Sequence, residues 1–231
     1  MLRILPVFAC IALTACAPAQ MHLPASLAQQ SVRTELTGIG GWPSGRFSAG
    51  EYTGVFDRSL DRWSFAEAVE RTGHSDFTVA GPEIGSTIEA RCDMRERALD
   101  FGHVEVTTQP MAYRCDLTAE GRPIPARFEL QEVVGGGSAI TRSERRGEIA
   151  LGGEVVRFRS VHHLAGTRMP SLTPIGYVFE HGGREIGALE LTGRPALILS
   201  PSIDRGVART ATVAAVALAT LWDPAVHDLG M

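Results

Sequence analysis

Polar and apolar residues alternate through much of the chain between residues 51 and 199. In IEARCDMR, Ile88, Ala90, Cys92 and Met94 alternate with Glu89, Arg91, Asp93 and Arg95. A period of two places the first set on one face of a strand and the second on the other. The same period runs through 104–108, 112–117 and 127–133, where Phe128 and Leu130 oppose Arg127, Glu129 and Gln131. Further strands are predicted at 51–57, 77–80, 83–97 (bent at Gly85), 148–151, 154–161, 176–180, 184–191 and 196–199. Residues 62–71 suit either a short helix or a strand. Glu120-Gly121 marks a turn, and Gly152-Gly153 and His181-Gly182-Gly183 mark two hairpins, since paired glycines supply positive φ. No helices intervene. The predicted fold is therefore mainly β, an antiparallel barrel or barrel-like sandwich of about 10–12 strands.

One stretch breaks the alternation. TATVAAVALATLW, at 210–222, carries no charge and is apolar on every side of a helical wheel. Such a helix is buried. Its 13 residues fall short of the roughly 20 that span a bilayer. Ser200 as N-cap, Pro201 in the first turn and Asp223-Pro224 as the stop predict a helix over 201–222, wrapped by the strands before it. Hairpins such as 177–191 followed by a helix over 207–222 resemble the plan of the tubby-like family, which includes the phospholipid scramblases and plant LURP-one proteins. The resemblance spans at most 50–222 and implies a barrel enclosing its C-terminal helix. It transfers no phosphoinositide site, because that site relies on basic residues, lysine among them, with no match here.

The N-terminus reads MLRILPVFACIALTACAPAQ. Arg3 and the apolar run 4–13 form a secretory signal. Leu13-Thr14-Ala15-Cys16 resembles the lipobox of bacterial lipoproteins. That resemblance implies removal of 1–15 and acylation of Cys16 at its thiol and new amino group. Three acyl chains exceed the two signals that stable anchoring takes. Ala17 in place of Asp implies sorting to the outer membrane, facing the periplasm. An ordinary cleaved signal is the alternative. The expected domains are the signal 1–15, a lipidated Cys with a tether or ordered loop over 16–45, and one β-rich domain over 46–231. Trp42 and Phe47 are expected to pack against the body, being poor residues to leave in water.

Charge and composition narrow the chemistry. The chain has 26 acidic and 22 basic residues, a net charge of −4, which argues against nucleic acid as a partner. It contains no Lys and no Asn, which excludes a Schiff-base lysine, a P-loop lysine and a Ser-Lys dyad. Cys10 lies in the signal. Cys92 and Cys115 both occupy inward-facing strand positions in a chain bound for an oxidising compartment, so a disulfide is predicted, with two buried free thiols as the alternative. His163 and His181, with Glu180, are weak metal candidates, since adjacent histidines such as His162-His163 are not a ligand spacing. Ser44, Ser48 and Ser138 lie near glycines, but none stands in a G-x-S-x-G elbow. The GGGS run at 135–138 lacks the lysine of a phosphate loop. Arg142, Arg145, Arg146, Arg205 and Arg209 are candidates for binding lipid phosphates or an anionic partner, or else they form a solvated barrel rim. No cofactor is expected. The expected function is that of a lipid-anchored envelope protein with a non-catalytic binding or scaffolding role, partnered by the membrane and an envelope protein. The alternatives are a carrier or sensor of an apolar ligand such as a lipid, and a hydrolase. A filled barrel interior would argue against the carrier.

Overall fold

The computed structural model describes residues 20–133 and 143–227. These form twelve strands, β1 (Val32–Thr37), β2 (Ser44–Ala49), β3 (Tyr52–Phe65), β4 (Ala68–Val79), β5 (Ile88–Asp100), β6 (Glu105–Ala119), β7 (Arg122–Glu132), β8 (Arg145–Leu151), β9 (Glu154–Val161), β10 (Gly176–His181), β11 (Arg184–Glu190) and β12 (Ala196–Leu199). Each strand pairs antiparallel with its neighbours in sequence, and β1 pairs with β12, so the sheet closes into a barrel. Closure leaves no full-length edge to pair with other chains. Along β5, Ile88, Ala90, Cys92 and Met94 are buried and their alternates exposed. The turns fall where the glycines require them. Gly152 and Gly153 have φ of 62° and 89°, and Gly182 and Gly183 have 57° and 76°.

Several boundaries differ from the sequence reading. Residues 62–71 are a hairpin rather than a helix, turned at Ala66 with φ 51°. The strands predicted over 104–108 and 112–117 are one strand, β6, which starts at Glu105. Its register against β5 is irregular between Arg95 and Ala98, opposite Thr107 to Ala112. The bulge there carries the strand through Pro110, which has no N–H to give a ladder. The strand predicted over 83–97 starts only at Ile88, after a turn in which Glu83 has φ 59°.

The segment expected to be a tether also differs. β1 lies wholly within 16–45, β2 begins at its end, and β1 completes the barrel. Before β1, a one-turn helix α1 (Ala25–Ala28) lies on the outer wall. Met21 and Leu27 pack there against Val178, Ala188 and Ile198, the outward residues of β10, β11 and β12. Those strands are apolar on both faces and need cover on both. Phe47 is buried as expected, but Trp42 is 76% exposed.

The helix α2 (Arg205–Thr220) is shorter than 201–222, because Asp204 rather than Ser200 caps it. The Asp204 carboxylate accepts from the Gly206 N–H at 2.7 Å. At 1.5 Å per residue the helix is about 24 Å long, and 210–220 is buried throughout. α2 packs against β4, β8, β9 and β12, strands spread around the barrel, so it lies in the lumen. The Tyr113 hydroxyl donates to the Ala217 carbonyl at 3.2 Å. Beside the helix, Tyr113, Phe128, Phe158, Tyr177 and Phe179 form an aromatic arc with ring centroids 5.4–6.1 Å apart. Gly147 lies beneath it, where a Cβ would come within 2.4 Å of the Phe158 ring. Small residues on the helix and large ones on the wall fill the interior together. Cys92 and Cys115 face each other across β5 and β6 and form a disulfide with sequence separation 23. Closing such a loop contributes about 3 kcal/mol in the chain-entropy model.

Candidate functional site at the lower end of the barrel

α2 gives the barrel a direction. Its N-terminus lies at the top, with the two paired-glycine hairpins. Its C-terminus lies at the bottom, with the β3–β4 and β5–β6 turns, the β1–β2 and β9–β10 loops, and a final one-turn helix α3 (Pro224–His227). The bottom holds nearly all the buried charge.

Arg58, 4% exposed, stands on the inner face of β3. Its guanidinium donates to the carbonyls of Ala219 (3.3 Å) and Thr220 (3.5 Å) at the end of α2. It also donates to Trp42 at 3.0 and 3.1 Å and to Gly40. Phe56 and Trp222 flank it, each ring centroid 5.1 Å away. A cation here satisfies carbonyls that a helix end leaves unpaired and complements its dipole. Burial lowers the Arg58 pKa from the ordinary arginine value, with Tyr113 acting the other way.

Arg145, 1% exposed, forms a two-pronged ion pair with Asp223, just past α2. Glu132 lies 3.8 Å from it. Burial alone would lower the Arg145 pKa, but Asp223, assisted by Tyr177 and Glu132, raises it above the ordinary value. Burial pushes the Tyr177 hydroxyl up to about 12, with Arg145 pulling the other way. Arg71 sits nearby on β4, bonded to both oxygens of Glu105 at 2.8 and 2.9 Å and lying 3.7 Å from Glu96. Burial raises the Glu96 pKa to about 7, partly offset by Arg71. Burial also raises Glu132, again offset by Arg145.

A hollow of about 410 Å³ opens beside these groups, walled by Ile39, Ile175, Leu218 and Leu221, with Arg58 and Asp223 at its side. The chemistry of these charges is structural. The Arg58 donors are directed at carbonyls and the two terminal nitrogens of Arg145 at Asp223, so they hold the helix end in place. The apolar walls suit a small apolar group. A second hollow, about 560 Å³, lies on the outer face of β2 to β5, where Val55 is bordered by Arg46, Asp57, Asp76 and Arg91.

The predicted arginine site is divided. Arg142 and Cys16 lie outside the described residues. Arg145, expected in a solvated loop, is buried in the ion pair, because its β8 position points into the lumen. Arg146 is its exposed neighbour. Arg205 is at the top, 89% exposed and 3.8 Å from Glu83. Arg209, also at the top, donates to the carbonyls of Leu151 (3.1 Å) and Glu83 (3.2 Å). His163 and His181 are not brought together. His181 is the last residue of β10 at the top, and His163 follows β9 at the bottom, so the length of β10, roughly 17 Å at 3.3 Å per residue, separates them. The His181 ring bonds the Val155 carbonyl at 2.9 Å and lies 3.6 Å from Glu154, while the His163 carbonyl accepts from the His22 N–H at 2.8 Å. Glu180 is 3.2 Å from Arg159.

Sequence reasoning missed Arg58, Arg71, Glu96 and Asp223. A signal existed for the first three. Arg58 follows Phe56, Arg71 follows Val69 and Glu96 follows Met94 at the same parity, so each is a charge on an apolar face. Such a residue is almost never buried without a partner. No protein-family model matches the chain, and no curated protein or solved structure matches it either.

Proposed function

We propose that this is a lipid-anchored protein of the bacterial envelope, held in the outer membrane by acyl chains on Cys16 and facing the periplasm. Its role is non-catalytic binding or scaffolding, exercised from the bottom of the barrel toward the membrane and an envelope partner. The observation that carries the non-carrier part is the occupied lumen: α2 is buried along 210–220 and runs through the space that a central ligand would need. The anchor part is supported by Leu13-Thr14-Ala15-Cys16 after an apolar run. Cell fractionation and intact mass test it. The wild type should sediment with membranes and carry acyl mass, and Cys16→Ser should be released. A Cys16→Ser protein that stays membrane-bound contradicts the anchor.

A carrier or sensor of an apolar ligand is the second reading, favoured by the hollow of about 410 Å³ beside Leu218 and Leu221. Native mass spectrometry distinguishes the two. A lipid that copurifies with the wild type and is lost in Leu221→Trp supports the carrier.

A further inference from the structure

The apolar side chains left in water are not spread evenly. Every exposed Trp and Phe among the described residues, Trp42, Trp63, Phe65 and Phe101, lies at the bottom, as do Met169 and Leu172. Among the described residues, the large apolar side chains exposed toward the other end are valines, at 32, 55 and 155. The bottom also has the longest strands. β3 pairs with β2 only as far as Asp57, and β6 pairs with β7 only from Ala112 onward. The β3–β6 unit therefore runs on by about seven residues, roughly 23 Å at 3.3 Å per residue. Near its tip, Phe65, Ala68, Leu99 and Val106 are register partners across all four strands. Trp63 stacks on Phe65 with ring centroids 5.9 Å apart. A contiguous apolar patch of this kind marks an interaction surface, and Trp at a projecting tip suits the headgroup level of a bilayer.

The N-terminal segment says which surface covers it. Gln20 and Met21 are fixed at the bottom. The Ala165 N–H donates to the Gln20 carbonyl at 2.8 Å, the Met21 N–H donates to Glu190 at 2.5 Å, and the Met21 side chain is buried. Cys16 stands four residues before Gln20, a reach of at most about 14 Å. Acyl chains on Cys16 would therefore hold the bilayer at the end of the barrel that carries the exposed aromatics.

We infer that the bottom of the barrel is a membrane-contacting surface, with the hairpin tips at 63–65 and 101–104 seated in the headgroup region of the bilayer that holds Cys16. The inference rests on the lipid-anchor reading above. It places the top of the barrel, with its charged and glycine-turned hairpins, away from the membrane.

Trp63 is the reporter. The chain has three Trp, so Trp42→Phe with Trp222→Phe isolates it and keeps a ring beside Arg58. The full-length protein, made in a host that processes lipoproteins, is reconstituted in phosphatidylcholine vesicles. Trp63 emission should shift to the blue and be quenched by brominated acyl chains. A Val155→Trp reporter at the top, in a chain with no other Trp, should remain unquenched. Equal Trp63 emission in brominated and ordinary vesicles, from protein whose mass shows acylated Cys16, overturns the inference and leaves the anchor intact. If Cys16 carries no acyl mass, the anchor reading fails and Cys16 no longer sets the bilayer, and quenching of Trp63 on added vesicles decides the membrane-contacting surface alone: present, that surface stands; absent, it falls. A dimer by sedimentation with Trp63 shielded from brominated lipid overturns it in favour of a second copy of the chain.

Discussion

The two ends of the barrel solve the same problem, the end of a buried helix, in different ways. At the top, α2 starts on an exposed Asp204 cap, and the strands turn through paired glycines at Gly152-Gly153 and Gly182-Gly183. At the bottom, α2 ends on the buried Arg58 and beside the buried Arg145–Asp223 pair, and the strands run out into long hairpins with exposed aromatics. Local rules are enough to build the top. The bottom depends on charges brought together from β3, β4, β5, β7, β8 and the segment after α2, so its integrity is a tertiary property.

That contrast sets the expected sizes of perturbation. Val216→Asp affects the part both ends share. It places an unpaired charge in the filled lumen, so the domain should fail to fold, seen as loss of cooperative thermal unfolding. At the bottom, Asp223→Ala leaves Arg145 without its main partner and should cost about 3–5 kcal/mol by urea denaturation. Replacing the pair together, Arg145→Met with Asp223→Leu, should come much closer to the wild type. If the single and double variants lose the same stability, the pair is not what holds the helix end.

Glu96 makes the bottom pH-sensitive. Its folded pKa of about 7 lies above its ordinary value of 4.5. A raised acid pKa favours the protonated form in the fold. Its contribution is complete below 4.5 and is lost as pH rises to about 7. Stability should therefore fall over that window, and Glu96→Gln should flatten the fall, giving a gain of roughly 1–3 kcal/mol over the wild type at pH about 8 and little at pH about 4. The smallest effect belongs to the top. Asp204→Ala removes one cap and should cost about 1 kcal/mol. A loss there as large as that for Asp223→Ala would erase the distinction between the ends.

The same contrast explains what was legible in the sequence. The twelve-strand class, the buried helix and the inward pairing of Cys92 with Cys115 follow from a period of two and one uncharged run. The upper hairpins were legible because positive φ requires glycine. The β3–β4 turn at the bottom uses Ala66 and Glu67 instead, which left 62–71 ambiguous. β1 was missed because VRTELT buries only one residue, Leu36, and its place is set by β12, more than 150 residues away. Its neighbours gave a signal in retrospect, since the apolar runs of β10 to β12 require cover on both faces. Arg145 was read as part of a loop cluster with Arg142 and Arg146, and only its strand parity separates it from Arg146. Asp223 was legible as a helix stop, but not as the partner of an arginine 78 residues before it.

Hydrogen exchange on the full-length acylated protein, compared in detergent and on phosphatidylcholine vesicles, tests most directly whether the ends divide this way. Amides at 61–67 and 100–106 should gain protection on vesicles, while those at 152–153 and 182–183 should exchange at the same rate in both. Equal exchange at the lower tips in both media, or protection gained at the top instead, would contradict the assignment of the lower end to the membrane.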